Sequence, residues 1–329
     1  MKTRVMALLL ACAMLLSACA GTAQSAPEPT PEGTHVKADA VKWPKEKLTQ
    51  SESGEPQLRV YVVEDKKTEA MDIETYVQGV LAGEMKNDWP MEALKAQAIL
   101  ARTFVLKFIE EKESRYPDAD ISTDIEEAQA YSAKDVNERI RQAVEETRGL
   151  VLASDGALPY AWFHAHSGGV TERAKAGLSW KDEEPSYTQV IQGNEPESAD
   201  ADAQNWSASF TYEEFENALS KLGAEVMLTE NSVLVISERG ESGRAVTIEA
   251  DGQSVPASEL RIVLGSTKMR STLLSSLKIE DGKIKMVGKG YGHGVGMSQW
   301  GAYGMAEEGR TAEEIVKHYF RNVTIEKLW

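Results

Sequence analysis

The stretch "LRVYVV", residues 58–63, alternates in polarity and is rich in β-branched side chains, so it predicts a strand. Two helical periods follow in succession, in "DIETYVQGVLAGEM" (72–85) and "PMEALKAQAILARTFVLKFIEEK" (90–112). A third helix is expected over 135–146. "GLVLAS" and "PYAWFH" predict two strands, with Asp155-Gly156 as the turn between them. Residues 177–205 read as polar loop, and "TYEEFENALSKLG" as a short helix closed by Gly223. Strand patterns recur at 232–237, 244–249 and 283–287, with the short "PASELRIVLG" among them. Helices near 298–308 and 311–319 close the chain. There is no internal repeat and no regular βαβ alternation. The pattern therefore predicts an α+β fold, with mixed helices and strands in one large two-lobed domain over residues 57–329.

The beginning of the chain has a different texture. Lys2 and Arg4 precede an apolar run over residues 5–18. That run is too short to cross a bilayer, which takes about 20 residues. It ends in Leu16-Ser17-Ala18-Cys19, which is similar to the lipobox of bacterial lipoproteins. The resemblance implies a signal peptide over 1–18, a lipid on Cys19, and a place on the outer face of the cytoplasmic membrane. Residues 19–56 are rich in Pro, Ser, Thr, Gly and charge and lack an apolar period, so a disordered linker is expected there.

Composition narrows the chemistry. The only cysteines are Cys12 and Cys19, which leaves the folded part without a disulfide, a thiol nucleophile or a cysteine metal site. The formal charge is −16, and losing Lys2 and Arg4 with the leader makes it more negative still. Such a field repels nucleic acid, and none is expected as a partner. It also repels anionic headgroups, so membrane contact is expected through the lipid.

Position 84 stands out on the first helix. With Ile73 at zero and about 100° per residue, Val77 falls at about 40°, Val80 at about −20° and Leu81 at about 80°. Glu84 falls at about 20°, inside this apolar arc, and Glu74 lies at its edge. Carboxylates rarely occupy a core face unless paired or functional. Desolvation there raises a carboxyl pKa and keeps the proton available, as protonation of a glycosidic oxygen requires. Trp89 and Pro90 follow at a sharp junction between the two helices. The Trp89 indole would exclude water from the acid and offer a face to a sugar ring. Lys95, Gln97 and Arg102 lie off the buried stripe of the second helix and are candidates for binding substrate. The latter two are placed to orient the acid or to bind substrate hydroxyls and carboxylates.

Three other groups are candidates. His164 and His166 would share a face on a strand, but no cysteine or well-placed carboxylate accompanies them, and no metal is expected. Ser167 reads as a hydrogen-bonding group in a tight turn beside a cleft; no G-x-S-x-G elbow surrounds it. The third is "GYGHGVGMSQWGAYG", residues 290–304, where six glycines surround His293, Ser298, Gln299 and Trp300. A dinucleotide fingerprint fails here, since the last glycine position falls on Val295 or Met297. No P-loop is present, so no nucleotide or other cofactor is expected. The glycines would let the backbone and His293 approach a ligand closely.

Together, "LAGEM…WPMEALKAQAILARTF", "FHAHSGGVTE" and "GYGHGVGMSQWGAYGMAEEG" resemble the stage II sporulation protein D family, also called the SpoIID/LytB domain. "ELRIVLGSTKMRS" resembles the segment that precedes the last block in that family. The resemblance implies a lytic transglycosylase acting on peptidoglycan glycan strands, in some members after an amidase has removed the stem peptides. It implies that Glu84 is the catalytic acid and that His293, Ser298 and Gln299 line the groove. It also carries an alternative, a wall-binding protein that stimulates an amidase without cleaving glycan. Two departures are visible. Cysteines that hold zinc in some members are missing here, and a lipobox stands where the sporulation protein usually has a membrane helix.

Overall fold

The computed structural model describes residues 41–52 and 54–329. The expected signal peptide, Cys19 and the first part of the expected linker lie outside the described residues. Ala38–Trp329 forms one compact unit containing two hydrophobic cores.

The first core begins earlier than the composition suggests. Val41, Trp43 and Leu48 are buried in it, and β1 (Thr49–Gln50) pairs antiparallel with β2 (Pro56–Val62). The described residues from 41 to 56 thus belong to the folded domain rather than to a disordered linker. Their few apolar side chains have no period, yet they dock on a surface made by distant parts of the chain. β3 (Lys67–Asp72) continues this sheet, and its last residue caps α1 (Ile73–Glu84) through a bond from Thr75 N to Asp72. After α2 (Met91–Glu111), β4 (Ile121–Ser122) returns to lie parallel to β2. α3 (Glu138–Glu146) packs on α1 and α2, and β5 (Leu150–Ala153) follows.

Asp155 and Gly156 both take positive φ, as the expected turn requires. The hairpin itself does not continue. One bridge joins Ser154 to Ala157, and β6 (Phe163–His164) pairs elsewhere. The next segment is loop with two short helices, α4 (Ala174–Leu178) and α5 (Ala201–Gln204).

The second core is built from β7 (Asn205–Thr211), the capped helix α6 (Tyr212–Lys221), β8 (Leu234–Arg239), β9 (Ala245–Ala250), β10 (Gln253–Pro256), α7 (Ala257–Leu264), β11 (Leu274–Glu280) and β12 (Lys283–Lys289). Its strands form two antiparallel sheets, ordered β10-β9-β8 and β11-β12-β7. The chain then returns to the first core. β13 (Met297–Ser298) lies parallel to β6, leads into α8 (Gln299–Glu307) and α9 (Ala312–Tyr319), and β14 (Thr324–Lys327) closes against β5. Among the described residues no helix is long and apolar enough to cross a membrane.

Candidate active site

Glu84 is the last residue of α1, and its carboxylate opens on a cleft of about 470 Å³. Two glycines on α1 make its setting possible. A Cβ on Gly79 would come within 2.2 Å of the Tyr131 ring, and one on Gly83 within 2.6 Å of Tyr131 N. Their absent side chains let residues 130–132 lie directly on the helix. That contact brings Ala130 N within 2.7 Å of Glu84 Oε1. The other oxygen receives Gln299 Nε2 at 3.4 Å, from the first turn of α8. Desolvation raises the Glu84 pKa above the usual carboxylate range, and the Ala130 and Gln299 bonds offset only part of the rise.

The cleft has an apolar wall from Phe104, Trp162, Phe163 and Tyr291. Its polar lining comes from Gln129, His164, Arg261, His293 and Gln299. Among the described residues lining it, Glu84 is the only carboxylate. Arg261 belongs to α7 and the second core, so both cores contribute to one site.

The two imidazoles grip the same residue. Val295 N donates to His293 Nδ1 at 3.0 Å, and the Val295 carbonyl lies 3.1 Å from His164 Nδ1. A carbonyl only accepts, so His164 carries its proton on Nδ1, and Nε2 is left as an acceptor. That Nε2 is buried and has no protein partner among the described residues. Burial keeps both rings neutral, helped by neighbouring positive groups. His164 is pushed well below the usual histidine value, and His293 is pulled down to about 3, with Arg261 and Arg244 adding to burial. Gly292 fits this arrangement by necessity. Its φ is +114°, and a Cβ there would sit 2.6 Å from the His164 Cβ.

His293 therefore lines the cleft, but its Nδ1 is taken by Val295 N and its ring is also bonded to the Phe163 backbone. It positions the loop rather than reaching for a ligand. Gln299 lines the cleft and touches Glu84. Ser298 turns away to cap α8 through Gly301 N and to donate to Glu195 at 2.7 Å.

Several expected site residues lie elsewhere. Arg102 is fully buried and forks onto Glu74 at 2.5 Å, with its remaining amine on the Leu150 carbonyl. Lys95 bridges Glu92 at 2.8 Å and Glu146 at 2.5 Å, tying α2 to α3. Gln97 is buried within α2 and does not line the cleft. Trp89 packs on Trp300, with ring centres 4.6 Å apart, and on Tyr303 at 5.2 Å; this cluster is core rather than cleft wall. Helical spacing places these side chains on a face but cannot say which neighbour covers it.

His166 and Ser167 also leave the cleft. β6 ends at His164, so the two histidines do not share a strand face. Instead His166 Nδ1 accepts from Gly168 N and lies 3.7 Å from Glu195, while Ser167 N donates to Glu195 at 2.6 Å. Burial alone would raise the Glu195 pKa, but the Ser167, Ser298 and His166 interactions hold it below the usual range. Glu195, Gln129 and Arg261 escape sequence reasoning. Glu195 and Gln129 sit in aperiodic segments, and Arg261 looks like an ordinary charge on a short helix. Among the described residues no group of three or more His, Cys, Asp or Glu is arranged to hold a metal.

Comparison with known proteins gives the chain's relatives. The family model described as Stage II sporulation protein (SpoIID) matches residues 63–153, which include Glu84. A Domain of unknown function (DUF8618) matches residues 166–296, which include Arg261 and His293. The chain is 36% identical over 257 residues to an uncharacterized protein of Brachyspira hyodysenteriae, covering 78% of this chain and 67% of that one. It is 30% identical over 298 residues to stage II sporulation protein D of Bacillus amyloliquefaciens, covering 84% and 83%. It is 28% identical over 291 residues to the amidase enhancer of Bacillus subtilis, covering 76% of this chain and 40% of that protein. With a match that covers more than four fifths of both chains, the protein belongs to the stage II sporulation protein D family.

Proposed function

We propose that this protein is a peptidoglycan lytic transglycosylase that cleaves the bond from N-acetylmuramic acid to N-acetylglucosamine with Glu84 as its acid. One observation carries the reading: a single carboxylate, raised in pKa, lines the aromatic-walled cleft among the described residues. Glycoside hydrolysis commonly uses two carboxyl groups, one of them to activate water or to attack the sugar. One suffices when the nucleophile is inside the substrate. Protonated Glu84 gives its proton to the glycosidic oxygen, and the C1–O bond breaks as N-acetylglucosamine leaves with that oxygen. The C6 hydroxyl of the same muramic residue then attacks C1 and returns its proton to the Glu84 carboxylate. No water is consumed, and a 1,6-anhydro end results. Intramolecular attack has a high effective concentration, which is why no second base is required. Gln299 steadies the carboxylate, and the aromatic wall offers faces for the sugar rings.

The family supports a role in cell-wall remodelling, and the relatives named for sporulation give its setting. The relative named amidase enhancer favours a second reading, a glycan-binding partner of an amidase without cleavage of its own. Digestion of purified wall separates the two. The first reading requires anhydro-ended fragments from the native protein and their loss in Glu84→Gln, read by mass spectrometry. Amidase stimulation that survives Glu84→Gln, with no anhydro product from the native protein, would establish the second. The leader sequence and Cys19 support a lipid anchor on the outer face of the cytoplasmic membrane. Metabolic labelling with an alkyne fatty acid tests this; equal labelling of Cys19→Ser would overturn it.

A further inference from the structure

Arg261 is the one charged group of the cleft that this chemistry leaves unused. Its residue is 8% exposed, and Nε donates to the Arg270 carbonyl at 2.9 Å. Among the described residues two other arginines are deeply buried, and both are compensated. Arg102 has the Glu74 carboxylate. Arg244 donates to the Val170 and Ser167 carbonyls and feels Glu172 and Glu195. Arg261 has no acidic neighbour of this kind; the group favouring its charge is the Tyr291 phenol, and burial pulls it down to about 10. It remains a cation at neutral pH, held largely out of water without a counter-ion. Burying a lone charge is costly, and an incoming anion recovers part of that cost. Two further buried groups in the same cleft also lack protein partners among the described residues, His164 Nε2 and the Gln129 amide.

We infer that Arg261 binds a carboxylate carried by the sugar in the cleft. The inference rests on the reading of the cleft as a peptidoglycan glycan site. On such a strand the carboxyl group attached to the sugar is the lactyl group of N-acetylmuramic acid. It is a free anion where no peptide is joined to it and a neutral amide where one is. A guanidinium matches a planar carboxylate with two parallel N–H bonds and has no comparable partner in an amide. Arg261 is therefore a specificity-determining residue, through which the second core discriminates peptide-free from peptide-bearing muramic acid.

The test uses two peptide-free oligosaccharides of alternating N-acetylglucosamine and N-acetylmuramic acid, identical except that one has its lactyl groups as methyl esters. Binding is measured by calorimetry in Glu84→Gln, where turnover is blocked. The free acid is expected to bind about ten- to a hundred-fold more tightly than the ester, the range of one charge-assisted pair. Adding Arg261→Gln should erase this preference while leaving the ester's Kd unchanged, and Arg261→Lys should keep part of it. Equal binding of acid and ester before Arg261 is changed overturns the assignment. So does a preference that survives Arg261→Gln, or an equal loss on both ligands. Binding of neither oligosaccharide would instead overturn the glycan reading, and this inference with it.

Discussion

Gln299 Nε2 lies 3.4 Å from Glu84 Oε2, joining two residues 215 positions apart in the chain. One ends the first helix of the domain and the other begins the eighth. The acid is thus held between α1 and α8, and its properties depend on both.

Glu84→Gln should lower the rate of anhydro-end formation by at least about 10³-fold, since the amide has no proton to give. Its effect on stability should have the opposite sign. A carboxyl whose folded pKa is raised destabilises the folded state progressively as pH rises through that value. The variant should therefore melt no lower than the native protein at pH 7, and any advantage should vanish below about pH 4, near the ordinary carboxyl range. Scanning calorimetry across pH reads this directly. A variant much less stable at pH 7 would contradict the desolvated setting.

The activity profile should carry the same signature. An acid that must be protonated to act loses rate as pH rises past its own pKa. The alkaline limb of kcat/KM should thus lie above the usual glutamate value. An activity that keeps rising through neutral pH would point to a different proton donor.

His293 makes a separate prediction with reversed sign. Its folded pKa is depressed to about 3, from an unfolded value of 6.5. The stability it contributes is full above pH 6.5 and is lost as pH falls toward 3. The melting temperature should decline across that window, and His293→Gln should flatten the decline. Parallel pH curves for the two proteins would show that the ring does not titrate with unfolding.

The Arg102–Glu74 pair is a structural element at 2.5 Å, away from the cleft. Removing one partner leaves a buried charge alone, so Arg102→Ala should cost about 3–5 kcal/mol of stability. Urea denaturation measures the loss. The folded fraction should keep the native KM; a raised KM with unchanged stability would return Arg102 to the substrate site.

Gly292→Ala should harm the site without touching a polar group. The new methyl would meet the His164 Cβ at 2.6 Å and force an L side chain to φ +114°. Strain of this kind costs about 1–3 kcal/mol. Crystals of the variant should show His164 displaced and its bond to the Val295 carbonyl lost, with activity reduced at least about ten-fold. An unmoved His164 would remove the glycine's steric rationale.

Local signals carried much of the helical framework and one residue of the cleft. The apolar period of 73–84 put Glu84 on the inner face, the pattern of "TYEEFENALSKLG" marked α6, and Asp155-Gly156 formed its turn. These features depend on neighbours within a turn or two, which the chain order contains. Distant partners were decided only by the tertiary path. Periodicity treats Arg102 as a free cation, whereas the fold gives it Glu74, 28 positions away. It treats Trp89 as a sugar platform, whereas α8 covers it with Trp300. It cannot find Arg261, whose meaning comes from the second core meeting the first across the cleft, nor the burial of Val41, Trp43 and Leu48 in the first core. Burial and pairing are properties of the space around a side chain, and that space is assembled from segments that local sequence does not name.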